Sequence, residues 1–342
     1  MRVGAHQMSA SRLAFRPGGL FCFCFVLLSF LTATTLSARE IQVSGRAYVD
    51  LGTVAQRFGM QGYWLAGYET YRLKSRWTTI DAGKNAKTLQ VNRLPVYLGF
   101  PMVESRGQLF IAKADYQHVL QSVLTPQAFR PVPGLRRIVI DAGHGGKDSG
   151  ARNDAYGLKE KELTLDVSRR LKSLLERAGY DVVMTRDSDV YIPLDQRPKV
   201  ANRTKGDLFL SLHFNAAGSS TAAGFESYAL TPQYQASSKY AKPEAHDNIA
   251  YTGNKQDAWN TLISYHVQRA LVQRLGGPDR GLKRARFLVL KHLDCPGVLV
   301  ELGFVSHPDT AQKLRTAAFR QTLAQSLFEG IVAYRNRLAR IQ

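Results

Sequence analysis

The pattern of hydrophobic and polar positions changes character along the chain. An apolar run from Gly19 to Leu31 is preceded by Arg2, Arg12 and Arg16 and followed by small residues ending at Ala38. Between Glu40 and about Leu124 the pattern is short and alternating, as in Tyr71–Ser75, Leu89–Asn92 and Leu94–Leu98, with Gly, Asn and Asp between the stretches. Alternation broken by turn residues predicts short strands. Two stretches, Ala47–Phe58 and Leu109–Leu120, resemble each other, and each predicts a strand running into a short helix. From Leu135 the pattern lengthens. Arg137–Asp141, Asp181–Thr185, Leu208–His213 and Val298–Glu301 predict strands. In Glu162–Ala178 one helical stripe holds Leu163, Val167, Leu171, Leu174 and Ala178, and Gly179 ends it. Trp259–Leu275 and Ala317–Leu338 predict two more amphipathic helices.

Strands alternating with long helices imply an α/β domain with a mostly parallel sheet flanked by helices, here preceded by a small α+β domain. Three prolines in Thr125–Gly134 mark a linker. The expected organisation is a signal peptide over 1–38, a small module over 39–124, the linker over 125–134 and a catalytic domain over 135–342. Cleavage after Ala38 is the favoured reading, because the apolar run is short of the roughly 20 residues that span a bilayer; an uncleaved anchor is the alternative.

Composition narrows the partners. The chain has 342 residues, 44% hydrophobic and 21% charged, which excludes a disordered or multi-span membrane protein. Its formal net charge is +19, or +16 once the three early arginines are removed. A basic exported protein favours a polyanionic partner. No Lys/Arg block or binding motif points to nucleic acid, so association with anionic wall polymer or a membrane surface fits better. Cys22 and Cys24 leave with the signal, and Cys295 remains without a disulfide partner or a nucleophile motif.

In open α/β sheets the functional side chains gather beyond the carboxyl ends of the strands. Three such ends carry His144, His213 and Glu301. Around His144, Gly143, Gly145 and Gly146 permit a tight turn. Glu160 opens the helix that follows. Two imidazoles and a carboxylate suit zinc, and a catalytic zinc takes three protein ligands. The spacing is too wide for a local zinc motif; the coincidence of strand ends is what singles the residues out.

Five ordered blocks, IVIDAGHGGKDSGA, GLKEKELTLDVSRRLKSLL, YIPLDQRPKVANRTKGDLFLSLHFNA, GFESY and DRGLKRARFLVLKHLDCPGVLVELGFVSH, resemble the zinc-dependent N-acetylmuramoyl-L-alanine amidases of the amidase-3 type. The resemblance implies that His144, Glu160 and His213 hold zinc and that Glu301 is catalytic. It also implies peptidoglycan as substrate, cut between N-acetylmuramic acid and L-alanine, and an exported location, periplasmic or secreted at the cell wall. Ala142 and His307 depart from the residues usual in the family, but neither is a ligand position. The small module is similar to the copper amine oxidase N-terminal-like domain, and its His118 lacks a ligand partner. Glu162 is a competitor for the place of Glu160, although a charge in the first helical turn explains it.

Other positions carry less. Asn215, Arg197 and Asn202 have structural explanations beside functional ones, while for Arg284 and Arg286 a solvated charge face is favoured over contact with stem-peptide carboxylates. His246, His266 and His292 lack the setting of a ligand. Thr231–Asp257 is polar and reads as a surface loop too short and hydrophilic to plug the site. A wall-binding protein without catalysis and a zinc peptidase acting on stem peptides are the competing functions; the need for a protein activator is left open.

Overall fold

In the computed structural model, which describes residues 39–341, the early alternating stretches form β1 (Glu40–Val43), β2 (Arg46–Asp50), β3 (Gln61–Trp64), β4 (Thr70–Lys74), β5 (Thr79–Gly83), β6 (Thr88–Val91), β7 (Leu94–Tyr97), β8 (Val103–Ser105) and β9 (Gln108–Ala112). The signal segment, with Cys22 and Cys24, lies outside the described residues. The two similar stretches do run from strand to helix: β2 enters α1 (Leu51–Arg57), and β9 enters a helical stretch made of α2 (Lys113–Asp115), a wide π-type turn over Tyr116–Gln121 and α3 (Ser122–Leu124). Asp50 ends β2 because its carboxylate accepts from the Gly52 and Thr53 amides, at 3.2 and 2.8 Å, and so caps α1. The two strands pair antiparallel, with Val49 opposite Ile111.

The second half contains β10 (Arg137–Ala142), the short pair β11 (Arg152–Asn153) and β12 (Leu158–Lys159), α4 (Glu160–Arg177), β13 (Asp181–Met184), α5 (Gln196–Arg203), β14 (Leu208–Asn215) and β15 (Phe225–Leu230). It continues with α6 (Asp257–Leu275), β16 (Asp279–Ala285), α7 (Leu288–Lys291), β17 (Gly297–Phe304), α8 (Pro308–Leu314) and α9 (Ala317–Ala339). Strands β13, β10, β14 and β17 pair in parallel, while β15 runs antiparallel to β17. Side chains alternate across β14: Leu208, Leu210, Leu212 and Phe214 join the core that contains α4, α6 and α9. Phe209 joins a smaller core with Ala201, Val289 and Leu290 on the opposite face. Both faces are therefore covered, which explains the near-continuous apolar strands.

The sheet does not stop at the proline-rich segment. Strand β7 lies parallel to β16, with Val96 opposite Leu282, so one sheet runs β13-β10-β14-β17-β15-β16-β7-β6-β5-β4-β3. Leu282, Ala229 and Tyr265 from the second half share a core with Val96, Leu98 and Leu120 from the first. In the segment itself Pro126 is buried and Phe129 packs edge-on against Trp259, with ring centroids 6.4 Å apart. Prolines restrict the backbone but leave the apolar side chains between them free to find a core.

This continuity corrects the expectation that Arg284 and Arg286 are solvated. Arg284 is only 2% exposed and the Arg286 side chain only 7%. Strand β16 is an inner strand, and the N-terminal strands cover it. One Arg284 amino group donates to the His118 carbonyl and to Thr261 Oγ1, both at 2.9 Å, tying the Tyr116–Gln121 turn to α6. Two buried carboxyls face it: burial pushes Asp257 up to about 7 and Asp115 up to about 6, and in both Arg284 pulls the other way. Arg284→Met leaves these groups without their cation, so chemical denaturation should show a loss of about 3 kcal/mol. A loss below about 0.5 kcal/mol would remove Arg284 from the joint.

Candidate active site

The loop after β10 brings the first imidazole into place. Its backbone is unusual, with His144 at φ +60°, a region that residues with a Cβ seldom occupy. Two buried arginines support it. Arg197 donates to the His144 carbonyl at 2.9 Å and pairs with Asp141 at 2.8 Å, and both of those side chains are almost fully buried. Arg186 donates to the carbonyls of Ala142, Gly143 and Lys161. The loop thus holds a costly conformation because several hydrogen bonds converge on it.

The ring of His144 is oriented by Asp148, whose carboxylate lies 2.8 Å from Nδ1, leaving Nε2 to face Glu160 Oε1 at 3.0 Å. His213 Nδ1 lies 3.0 Å from that same oxygen. Glu160 begins α4 and is buried; its Oε1 accepts from the Phe214 amide at 3.0 Å and its Oε2 from the Ala151 amide at 2.8 Å. Burial raises its pKa, but His144 and His213 outweigh that and hold the carboxyl well below the usual range. Burial likewise opposes charge on His144, while Glu160 and Asp148 raise its pKa on balance.

Close approach explains two glycines. A Cβ on Gly143 would stand 2.4 Å from the His213 ring, and one on Gly150 would stand 2.6 Å from both Glu160 Oε2 and His144. Among the described residues, one donor atom each from His144, Glu160 and His213 lies within 4.8 Å of the others. Zinc ligands at tetrahedral corners stand roughly 3.3 Å apart. The two separations from Glu160, 3.0 Å each, are near that value and the imidazole donors lie within 4.8 Å of each other, so the three side chains could hold a small dication.

Glu301 lies directly across the register from His213 on one side and from Glu226 on the other. Its Oε2 is buried with no hydrogen-bond partner. Burial, then the negative charges of Glu160 and Glu226, push its pKa well above the ordinary carboxyl value, and Lys283 opposes them. Glu226 has the contrary environment: it accepts from Tyr228, Arg280 and Lys283, which together overcome burial and lower its pKa. Adjacent carboxyls with pKa values pushed apart divide into one charged group and one poised to carry a proton.

The sequence that builds this site matches a known family. The family model described as N-acetylmuramoyl-L-alanine amidase matches residues 138–333. The chain belongs to that family. It is 36% identical over 208 residues to the N-acetylmuramoyl-L-alanine amidase LytC of Bacillus subtilis, covering 61% of this chain and 37% of that protein. It is 30% identical over 275 residues to the N-acetylmuramoyl-L-alanine amidase AmiA of Escherichia coli, covering 73% of this chain and 94% of AmiA. The chain therefore spans little more than a third of LytC but nearly all of AmiA. Among solved structures, an N-acetylmuramoyl-L-alanine amidase from Clostridium difficile matches with a TM-score of 0.50 and 28% identity, over 59% of this chain and 97% of that one.

The remaining candidates have structural placements within this amidase fold. Glu162 is exposed and pairs with Lys159 at 3.2 Å. Arg197 belongs to the buried pair already described, and Asn202 bridges the His292 carbonyl and the Asp294 amide. Asn215 bonds the Ala216 amide. His118 is 3.9 Å from Asp257, His246 pairs with Glu244, and His266 is held uncharged by burial, with its pKa lowered to about 4. Cys295 is buried and its thiol is pushed up to about 12. The Thr231–Asp257 expectation needs correction, since Thr231, Gln235, Ala236, Ser237 and Asp247 are buried. Arg286 fastens this segment through the carbonyls of Pro232 and Gln235 and the carboxylate of Asp247. Within it only single-turn 3₁₀ helices form.

Sequence reading did not single out Asp148, Arg186, Glu226 or Lys283. Asp148, four residues after His144, Glu226, in GFESY, and Lys283, in DRGLKRARF, all sit inside the quoted blocks, so the signal for them was in the sequence. Arg186 follows a strand end with no distinguishing neighbour.

Proposed function

We propose that the protein hydrolyses the amide between N-acetylmuramic acid and L-alanine in peptidoglycan, with zinc held by His144, Glu160 and His213. The observation that carries this reading is the partnerless Oε2 of Glu301, set one strand away from the two-imidazole, one-carboxylate cluster in a chain of the amidase family. Zinc supplies Lewis acidity toward the scissile carbonyl and lowers the pKa of water from about 15.7 to about 7.

The chain's own groups supply the remaining steps. Asp148 orients the His144 ring, and the Phe214 and Ala151 amides orient Glu160. The Glu301 carboxylate takes the proton from the attacking water and delivers it to the leaving nitrogen of L-alanine. The carbonyl carbon gains the hydroxyl, the C–N bond breaks, and the nitrogen leaves as an amine. Lys283 and Arg280 keep Glu226 charged, so the proton stays on Glu301 between the two transfers.

The site belongs with an exported protein acting at the wall, in the periplasm or secreted. The charged and apolar pattern of residues 1–38 supports export, and among the described residues no helix is long and apolar enough to cross a membrane. Digestion of purified sacculi should release intact stem peptides, and a chelator should abolish that release. Trimmed stems would instead establish a peptidase, and no release would leave a wall-binding protein.

A further inference from the structure

The N-terminal module has no assigned role, yet one of its strands reaches the face that carries Glu301. In sheet order, β17, β15, β16 and β7 follow one another. Glu226 stands opposite Glu301, Tyr228 opposite Lys283, and Val96 of β7 opposite Leu282. Lys283 Nζ lies over two rings, 5.5 Å from the centroid of Tyr97 and 5.8 Å from that of Tyr228. Both Lys283 and Tyr228 also bond Glu226. A row of side chains therefore leads from the catalytic carboxyl to the module.

Beside this row is a cavity of about 580 Å³ whose lining includes Tyr97, Tyr228, Lys239, Lys283, Arg286 and Lys291, and in which no Asp or Glu takes part. Two lysines mark it as a place for negative charge. Lys239 and Lys291 face the rings of Tyr240 and Tyr251, at 4.8 and 4.7 Å, and neither has a carboxylate within ion-pair distance among the described residues. Arg286, behind them, is already paired with the buried carboxylate of Asp247 and closes the inner wall. Lys87, from the module, donates to the Tyr240 and Ala241 carbonyls and so fixes the stretch that presents Lys239.

We propose that this cavity is a carboxylate-binding subsite for the peptide side of the substrate, with Tyr97 of the module as one wall and Lys239 and Lys291 as the anion-facing groups. The inference rests on the amidase reading. Three strand spacings of about 4.8 Å separate β17 from β7, roughly 14 Å in all. An extended peptide advances about 3.3–3.6 Å per residue, so about four residues span that distance. Carboxylates a few residues beyond the scissile bond reach the lysines, while the glycan side stays at the cluster of His144, Glu160 and His213. The module then takes part in choosing the stem peptide.

The test compares two synthetic muramoyl-L-alanyl peptides of equal length, one with free carboxylates beyond alanine and one with carboxamides. The wild-type protein should favour the acidic form about tenfold in kcat/KM through KM, and the preference should weaken in high salt. In the double variant Lys239→Gln, Lys291→Gln the ratio should fall to about one. Calorimetry with the free acidic and amidated peptides gives a readout that needs no turnover, and the wild type should bind the acidic peptide about tenfold more tightly than the variant does. Equal preference or equal binding in wild type and variant would overturn the subsite. Failure of the wild type to cut either substrate would instead overturn the amidase reading, with the calorimetry still deciding the subsite.

Discussion

Replacing Glu301 by glutamine should lower turnover on muramoyl-L-alanyl substrate by about 10²–10⁴-fold, the range that a positioned proton carrier supplies. Glutamine preserves size, and Oε2 has no hydrogen bond to lose. The melting temperature should stay level or rise, because a buried carboxyl beside Glu160 and Glu226 is replaced by a neutral group. Metal content should match the wild type. The pattern to seek is a kcat defect with KM and metal retained. An active variant would place the proton transfer elsewhere, and Glu226, next across the register, would be the group to examine.

The second large effect is expected from Glu160→Ala. This carboxylate stands 3.0 Å from both imidazoles and accepts from two backbone amides, so no neighbour can replace it. Removing it takes away one of three ligands, while losing even a residue that only orients a ligand costs about 10–100-fold in metal affinity. Elemental analysis after dialysis should show a loss beyond about 100-fold, and sacculus digestion should cease. Adding zinc in excess should restore little activity, since the residual pair of imidazoles lacks the charge that neutralises the ion. Full metal occupancy in the variant would mean that a different third ligand serves and would remove Glu160 from the proposed set.

Much of this was legible in the primary pattern because the information is local. The stripe of Leu163, Val167 and Leu171 forms α4 because a 3.6-residue repeat can bury one face only as a helix. His213 and Glu301 could be picked out because strand residues near the carboxyl end point to one place in any open parallel sheet. The strands proved longer than the pattern suggested, so that His213 and Glu301 lie inside β14 and β17 instead of closing them. Their juxtaposition survives because the register pairs them directly.

The fate of Arg284 and Arg286 could not be read in the same way. A cationic side chain is buried or solvated according to what covers its strand, and the cover here comes from residues about 190 positions earlier. The same holds for the proline-rich segment and for Thr231–Asp257, whose polar composition says nothing of the hydrogen bonds that Arg286 offers across the fold.

The chain alone determined its α/β class and its main succession of strands and helices, matters of short-range period, and its family resemblance singled out His144, Glu160, His213 and Glu301 as candidates. Only the tertiary structure decided that one sheet joins the module to the amidase fold, that Glu226 and Glu301 hold opposite charge preferences, and that Tyr97 stands beside Lys283. These depend on which strands become neighbours and on how much water each contact excludes, and both are settled by the packing of distant segments.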